Sequence, residues 1–341
     1  MARMHGDSSA ASRLARLSDV LDETDARLRR GEAASHAPWG TGFVPLDSYL
    51  SGGLRPGELT LLGGPQGMGK TTLALQIARQ TIAAGHAVLY VSYEHDSVYL
   101  LERLVAAEAG ERAGIDAVPL RAVRALLEGD GTAASLSDKL ASTPGGAEAL
   151  AAVSIDLGRF HVLRGGVDTS VTDIEDSVRA IVERDGTPPL VVVDYVQKVA
   201  LEGERAADEE RRMARVAGGL KDLALTEVVP VLAISASDAA GIADGKRLRT
   251  QNLRGASSLA YEADVVLVLN EKYDVVARHH LVYGAANVEH FHQYAVLSIE
   301  KNRGGLSHVD MEFRKRFEQA RYERGGDIVR EQLVDARLYV E

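Results

Sequence analysis

The 341-residue sequence contains no cysteine, so disulfide bonds, thiolate metal sites and cysteine nucleophiles are all excluded. It has no apolar run long enough to span a bilayer, and its N-terminal stretch has no continuous apolar core of the signal-peptide kind. Basic residues are not in excess either. The formal net charge of -10 argues against a surface that binds nucleic acid everywhere, but it leaves room for a local basic channel. These absences predict a soluble, cytoplasmic protein without a membrane partner.

The length and composition allow one large core, with or without a small appendage. We divide the chain into an amphipathic helix and linker at residues 1–39, a principal domain at residues 40–324 and a C-terminal tail at residues 325–341. The stretch at about 110–158 is rich in Ala, Gly and Asp and contains turn signals, so we interpret it as a helical insertion. A second insertion is expected at residues 273–292.

Leucines recur at helical spacing between residues 12 and 30, and Gly31 follows as a stop signal. Such a helix can pack on its own domain or dock on a neighbouring subunit, and the pattern fits both equally. The leucine stripe consists of Leu14, Leu17, Leu21 and Leu28.

From Gly42 onward, short β-rich runs alternate with longer helical segments. This order is typical of an α/β fold with a twisted, mostly parallel sheet flanked by helices. Several runs contain only Val, Leu and Ile, as expected when both faces of a strand are covered. The predicted strands are residues 59–62, 87–92, 160–163, 190–193, 231–235, 265–269 and 294–300.

A complete P-loop, Gly-Pro-Gln-Gly-Met-Gly-Lys-Thr, occupies residues 64–71 between a predicted strand and a helical run. Its glycines allow successive backbone N–H groups to surround phosphate oxygens at a helix N-terminus. We expect Lys70 to reach the β- and γ-phosphates of ATP and Thr71 to bind Mg²⁺. The residues predicted to bind the nucleotide here are Gly64, Pro65, Gln66, Gly67, Met68, Gly69, Lys70, Thr71 and Thr72.

Two carboxylates follow predicted strands at the edge where α/β proteins bind ligands. Asp194 follows the apolar run 190–193, which is a Walker B arrangement and predicts a second Mg²⁺ ligand. Glu94 follows the strand at 87–92 and is a candidate for polarising the attacking water. Spacing alone leaves an alternative open, in which Glu94 is an acid at the start of a helix.

These motifs together resemble the C-terminal ATPase domain of DnaB-type replicative helicases, within the RecA-like P-loop superfamily. The resemblance extends over residues 40–320, and the lead-in at residues 41–57 is similar to the pattern T-G-F-x-x-L-D…G-G-L-x-P-G. Residues 194–197 resemble D-Y-L-Q, and residues 301–305 resemble the hairpin motif K-x-R-x-G. The sequence K-N-R-G-G also resembles the K-N-R-F-G motif of RadA recombination ATPases.

The resemblance implies a RecA-like core with a C-terminal β-hairpin extension and a short N-terminal linker helix, assembled as a homo-oligomer, with a hexameric ring expected. It implies that Glu94 is catalytic and that Gln197 belongs to the nucleotide site. It also implies that Lys301 and Arg303 reach the γ-phosphate bound by the adjacent subunit, where a guanidinium neutralises growing charge. Without the resemblance, these two residues fit an exposed basic turn.

The sequence departs from the family pattern at three places. We expect the chain to lack the large helical N-terminal domain of the replicative helicases. Ala236 stands where the family has a glutamine that senses the γ-phosphate, and alanine has no hydrogen-bonding side chain. The family's D-L-R-E-S corresponds to residues 252–256, which retain Arg254 and lose the acid.

A net basic segment at residues 236–255 corresponds to the loop that faces the central channel in RecA-like rings. The resemblance therefore implies binding of single-stranded DNA, and because the segment has no aromatic residue, binding should be directed at the backbone and depend strongly on salt. An ordinary solvated loop is the alternative, and the acidic stretch 201–210 is awkward for a DNA channel. The residues predicted to contact nucleic acid are Lys246, Arg247, Arg249 and Arg254.

Four histidines invite a zinc interpretation, with two of them on one face if their stretch is extended. Without cysteine or a well-spaced acid, surface histidines are the preferred interpretation. The four are His279, His280, His290 and His292.

The leading hypothesis is an oligomeric, magnesium-dependent ATPase of the DnaB type that translocates on or unwinds DNA. The alternative is a nucleotide-switched assembly or regulatory ATPase that acts on a protein partner. A P-loop kinase or transferase is the weakest hypothesis, since the sequence contains no acceptor-binding motif.

Overall fold

The computed structural model describes residues 14–129, 131–201, 209–237, 246–282 and 285–336. The chain divides into two compact units, Met1–Ala37 and Pro38–Glu341. The first unit contains helix α1 (Leu17–Arg29), which confirms the predicted N-terminal helix. The domain boundary precedes the predicted one because Trp39 already pairs with Leu54 through two backbone hydrogen bonds of 2.7 and 2.9 Å.

A single ten-stranded sheet crosses the second unit in the order β10-β8-β7-β6-β1-β5-β4-β2-β3, with β9 paired to β8, within the residues described. Six neighbouring strands are parallel to one another: β6, β1, β5, β4, β2 and β3. Beyond β6, the strands β7, β8 and β10 continue the sheet with antiparallel pairing. The strands are β1 (Leu59–Gly63), β2 (Ala87–Ser92), β3 (Phe160–Arg164), β4 (Pro189–Asp194), β5 (Val231–Ile234), β6 (Val265–Glu271), β7 (Tyr294–Asn302), β8 (Val309–Arg316), β9 (Arg321–Tyr322) and β10 (Asp327–Ile328). All seven strands predicted from the sequence are confirmed.

Helices cover both faces of the parallel strands. Residues of β1, β2 and β4 are buried throughout, because alternate side chains pack against α3 (Lys70–Ala83) on one face and against α8 (Val171–Asp185) and α9 (Glu209–Glu227) on the other. The other helices are α2 (Val44–Tyr49), α4 (Ser97–Ala113), α5 (Leu120–Glu128), α6 (Leu136–Ala141), α7 (Gly146–Asp156), α10 (Ala256–Glu262), α11 (Lys272–Val275), α12 (Arg278–Val282) and α13 (Ala285–His292). Among all the residues that the structure describes, no helix has the length and apolar character that a membrane span requires.

A separate small core lies in the region interpreted as a helical insertion. Side chains of α5, α6 and α7 pack on α4, with Val105, Val123 and Leu140 at the centre. Ser135 and Asp138 form a capping box that starts α6. The insertion therefore rests on the helix that follows β2, directly beside the end of the sheet where Glu94 lies.

The described part of the C-terminal tail, residues 325–336, contacts the sheet and the helices beside it. β10 pairs with β8, and Leu333 forms a β-bridge with Val276. Glu331 accepts a hydrogen bond of 3.0 Å from Lys272, and Asp335 accepts one of 2.9 Å from Arg249. The tail is thus held by backbone pairing and by ion pairs together.

Candidate nucleotide site

The P-loop lies between the end of β1 and the start of α3. Gly69 adopts φ 72°, and a Cβ there would come within 2.8 Å of the Phe317 ring, so both the backbone and the space require glycine. Lys70 Nζ donates to the carbonyl oxygens of Gly64 and Pro65 at 2.7 and 3.0 Å. Burial lowers the pKa of Lys70, while the nearby Asp194 and Glu94 raise it. A partly buried ammonium held mainly by carbonyl oxygens is available to an anionic ligand.

A cavity of about 640 Å³ opens above this loop. Most of the P-loop residues predicted to bind the nucleotide border it, but Gly64, Pro65 and Met68 do not. The carbonyl oxygens of Gly64 and Pro65 accept hydrogen bonds from Lys70, and that of the buried Met68 accepts one from the Tyr322 hydroxyl. The cavity is lined by Gln66, Gly67, Gly69, Lys70, Thr71, Thr72, Glu94, His95, Tyr99, Arg103, Leu120, Asp194, Tyr195, Ile234, Ala236, Ser237 and Phe317.

Asp194 ends β4 at the floor of the cavity and is 2% exposed. Its Oδ2 accepts hydrogen bonds of 2.8 Å from Thr71 Oγ1 and from the Tyr90 hydroxyl. Burial raises the pKa of Asp194, and the two hydrogen bonds oppose that shift. A hydroxyl and a carboxylate side by side are oxygen ligands of the kind that Mg²⁺ prefers, so Thr71 and Asp194 fit a magnesium ion.

Glu94 follows β2 and borders the same cavity with a side chain that is 47% exposed. The sequence left open that Glu94 starts the following helix. That role belongs to Asp96, which is the N-cap of α4 and accepts the Tyr99 N–H at 2.8 Å. Ser92 holds the turn between strand and helix by accepting the His95 N–H at 3.1 Å. Glu94 is therefore not needed as the cap, and its carboxylate faces the cavity.

A stack of three side chains at the start of α4 was missed from the sequence: His95 precedes the helix, and Tyr99 and Arg103 lie on its first turns. The His95 ring stacks on Tyr99 at 3.7 Å between centroids, and the Arg103 guanidinium lies 4.3 Å from the same Tyr99 ring. Burial lowers the pKa of His95. The spacing of four residues between Tyr99 and Arg103 is the signal that places these two on one face of the helix.

The two hairpin residues lie far from this cavity in their own chain. Lys301 near the end of β7 pairs with Val266 near the start of β6, and β6 is parallel to β1. The P-loop follows the other end of β1, so Lys301 and Arg303 lie at the opposite edge of the sheet from Lys70.

At that edge, both residues contact the end of α10. Lys301 Nζ donates to the carbonyl oxygens of Ala260 and Ala263 at 2.7 and 2.6 Å. Arg303 Nη1 donates to Asp264 at 3.1 Å, and its side chain remains 50% exposed. Both side chains are therefore bonded within their own chain.

The family model of the DnaB-like helicase C terminal domain matches residues 39–322, more than half of the chain. The chain belongs to this family. Replicative DNA helicase DnaB from Leifsonia xyli subsp. xyli is 27% identical over 259 residues, covering 74% of this chain and 50% of the helicase. DNA repair protein RadA from Mycobacterium tuberculosis is 45% identical over 60 residues, which cover 18% of this chain and 12% of RadA. The chain spans about half the length of the curated replicative helicases it matches.

Solved structures of DnaB-like proteins have the same fold. The ATPase domain of the protein G40P matches with a TM-score of 0.70 at 17% identity, covering 91% of this chain and 98% of that domain. A DnaB-like replicative helicase, solved in work on its interactions with primase, matches with a TM-score of 0.69 at 18% identity over 90% of this chain and 66% of its own. The RecA-like fold and the ATPase family are therefore confirmed.

Gln197, predicted at the nucleotide site from the DnaB-like D-Y-L-Q motif, does not line the cavity. It is 5% exposed, and its side-chain amide bonds to Ser235, Ala236 and Arg254. The correction follows from the short 3-10 turn at Val196–Lys198, which carries this side chain away from the phosphates and toward the end of β5.

The structure also contradicts part of the nucleic-acid prediction. Arg247 is buried and forms an ion pair with Asp310. Arg249 pairs with Glu300 and Asp335 at 2.8 Å and is 28% exposed. Carboxylates on strands or in the tail neutralise both arginines, so their positive charges are already paired within the fold.

Two of the predicted cations remain at the surface. Lys246 is exposed, and Arg254 is 54% exposed with Glu209 at 2.5 Å. Part of each loop lies outside the described residues. These parts are residues 238–245 of the basic segment and residues 202–208 of the acidic stretch.

The histidines do not form a metal site. His290 and His292 lie in helix α13, where residues two apart point in different directions, so the premise of an extended stretch is wrong. The His292 ring stacks on Tyr273 at 4.0 Å instead. In the described ranges no group of three or more potential ligands could hold a metal ion.

Proposed function

We propose that this chain is the motor domain of an oligomeric, magnesium-dependent helicase or translocase that acts on single-stranded DNA. The observation that carries the proposal is the division of the catalytic groups: Lys70, Glu94 and Asp194 border one cavity, whereas Lys301 and Arg303 lie at the opposite edge of the same sheet. Such a division requires a neighbouring subunit to complete each site.

Within one subunit, each group has a distinct role toward ATP. Lys70 binds the β- and γ-phosphates in place of its present carbonyl partners. Thr71 and Asp194 hold Mg²⁺, which neutralises charge on the phosphates. Glu94 orients the attacking water and accepts its proton.

Between subunits, Arg303 leaves Asp264 and reaches the γ-phosphate bound next door, with Lys301 beside it. The exchange is feasible because Arg303 is half exposed and trades one anionic partner for another. A ring of six subunits is the arrangement expected from the DnaB-like family. Hydrolysis then depends on assembly.

The DNA contact is assigned to Lys246 and Arg254, the two exposed cations of the basic segment. Neither has an aromatic neighbour within the segment on which a base could stack. Binding by several subunits through phosphate contacts alone is therefore non-specific and weakens steeply with salt.

The test is ATP turnover measured with and without single-stranded DNA over a salt series. We expect stimulation by DNA in the wild-type protein, lost with salt and reduced by the double change Lys246→Ala with Arg254→Ala. Removal of phosphate contacts should also flatten the salt dependence of DNA affinity by about 0.7 per contact.

A matched control removes two exposed arginines elsewhere, Arg121→Ala with Arg159→Ala, and changes the net charge equally. Arg159 resembles Arg254 because it is 48% exposed and has one acidic partner, Asp156. Equal loss of stimulation in both double variants would reduce the effect to net charge. No ATP turnover in the wild-type protein at any assembly concentration would overturn the proposal.

A second candidate is a nucleotide-switched ATPase that acts on a protein partner. It is favoured by the burial of Arg247 and the pairing of Arg249, which leave few cations for DNA. ATP turnover that is unchanged by DNA at every salt concentration would support this candidate over the first.

A further inference from the structure

The side-chain amide of Gln197 uses all of its usual hydrogen-bonding groups at a point between the nucleotide cavity and the basic segment. Its Nε2 donates to Ser235 Oγ and to the Arg254 carbonyl, both at 2.9 Å. Its Oε1 accepts the Ala236 N–H at 3.1 Å. Two donors and one acceptor fix the orientation of the amide without ambiguity.

These partners lie at the two ends of one segment. Ala236 follows β5, and Arg254 precedes α10; the Arg254 N–H also donates to the Ala236 carbonyl at 2.9 Å. Ser237 and Leu253 form a β-bridge beside them. We call Ala236, Ser237, Leu253 and Arg254 the neck. The Gln197 side chain therefore bonds to both segments of the neck.

One of the two segments of the neck also borders the candidate nucleotide cavity. Ala236 and Ser237 line the cavity that contains Lys70 and Asp194. Since alanine has no polar side-chain atom, Ala236 can transmit a change only through its backbone, and its N–H is bonded to Gln197.

Gln197 is also tied to the metal-binding strand. It follows Asp194 by three residues, and its own backbone carbonyl accepts a hydrogen bond of 2.9 Å from Arg212 on α9. The side chain is 5% exposed, so water does not compete for its bonds. The end of β4 and the neck are thus joined by a short, buried, hydrogen-bonded connection.

We infer that Gln197 is a positioning residue through which the state of the bound nucleotide, triphosphate or diphosphate, sets the geometry of the neck. The inference rests on the proposed function for its purpose, which is to regulate the basic segment during hydrolysis. Its first step, from nucleotide to neck, needs neither DNA nor turnover.

The absence of cysteine allows a clean reporter of this step. A single exposed cysteine introduced as Gln251→Cys, two residues before Leu253, carries an environment-sensitive fluorophore. The emission is recorded with ADP and with a non-hydrolysable ATP analogue. We expect the two nucleotides to give different emission in the otherwise unchanged protein.

The deciding variant is Gln197→Glu in the reporter background. It keeps the size and the acceptor but replaces both N–H donors by an oxygen that faces the Arg254 carbonyl. We expect the emission difference to fall by about fivefold or more, the range of ordinary coupling, while nucleotide affinity stays within about threefold.

Gln76→Glu is the matched control. Gln76 is a buried amide that also bonds a backbone N–H and carbonyl, those of Tyr322 at 2.8 and 2.9 Å, away from the neck. We expect its emission difference to remain. If Gln197→Glu does not fold, Gln197→Met is judged by the same criteria.

The inference is overturned if the unchanged reporter protein gives the same emission with both nucleotides, if the Gln197 variants keep the full difference, or if Gln76→Glu loses it equally. Failure of the proposed function gives a different result. Single-stranded DNA would leave ATP turnover unchanged, while the emission difference would persist and would still depend on Gln197.

Discussion

The cations beside the parallel and the antiparallel halves of the sheet are bonded in opposite ways. Beside the parallel strands, Lys70 is hydrogen-bonded to backbone carbonyls and faces a cavity. In the antiparallel extension, Lys272 is fully buried between Glu312 and Glu331, and Arg247 is paired with Asp310. A cation without a carboxylate partner is poised for a ligand, whereas a paired one holds the fold together.

The same substitution at the two lysines tests this difference most strongly at Lys70. We expect Lys70→Met to lower kcat/KM for ATP by about 100-fold or more, because Lys70 is the only lysine of the same subunit among the described residues that line the cavity. Stability should change little, since burial already disfavours the charged form of Lys70. Phosphate release and thermal unfolding measure the two effects; normal turnover would contradict the assignment.

Arg303 is intermediate between the two kinds of cation, because its carboxylate partner is exchangeable. Arg303→Ala and Lys70→Met should each be inactive alone, but an equimolar mixture should recover about a quarter of the wild-type rate if sites act independently in a ring. Turnover is measured across mixing ratios. Absence of recovery at every ratio would show that Arg303 does not act on a neighbour.

Lys272→Met should reverse the pattern seen at Lys70. Two partly buried carboxylates would lose their fully buried partner, which costs about 3 kcal/mol of folding stability. Denaturant unfolding measures this loss. The folded fraction should turn over ATP within about twofold of the wild-type rate, since Lys272 lies outside the cavity. A stable but inactive variant would break the comparison.

The smallest effect concerns a contact that joins the two halves. Tyr322→Phe removes the hydrogen bond to the Met68 carbonyl under the P-loop, at a cost of about 1 kcal/mol. We also expect a higher KM for ATP. Thermal unfolding and steady-state kinetics provide the measurements, with Tyr261→Phe as a control because Tyr261 is 75% exposed. Equal behaviour of both variants would leave Tyr322 without a role.

The nucleotide half could be predicted because its signals are local. Runs of Val and Leu, glycines at fixed spacing and an acid directly after a strand each report on their immediate surroundings, as for Lys70 and Asp194. The short strands β9 and β10 carry too few residues for such a signal. They were missed for that reason.

The errors at Arg247 and Gln197 have a different origin. The partner of Arg247 is 63 residues away on β8, so only the pairing of β7 with β8 brings Asp310 beside it. Gln197 was assigned by its motif, yet a single 3-10 turn decides whether it faces the phosphates or the neck. Charge and motif identify the residue type, while sheet register and turn geometry decide its use.

The placement of Lys301 and Arg303 at the edge opposite the P-loop constrains symmetry. If a hairpin on one edge serves a cavity on the other through a head-to-tail contact, each contact uses two different surfaces. A two-fold dimer could complete its sites only if one patch contained both the hairpin and the cavity and the two subunits lay antiparallel. Head-to-tail contacts instead produce closed rings or open helical filaments, and in a ring every subunit is both host and donor.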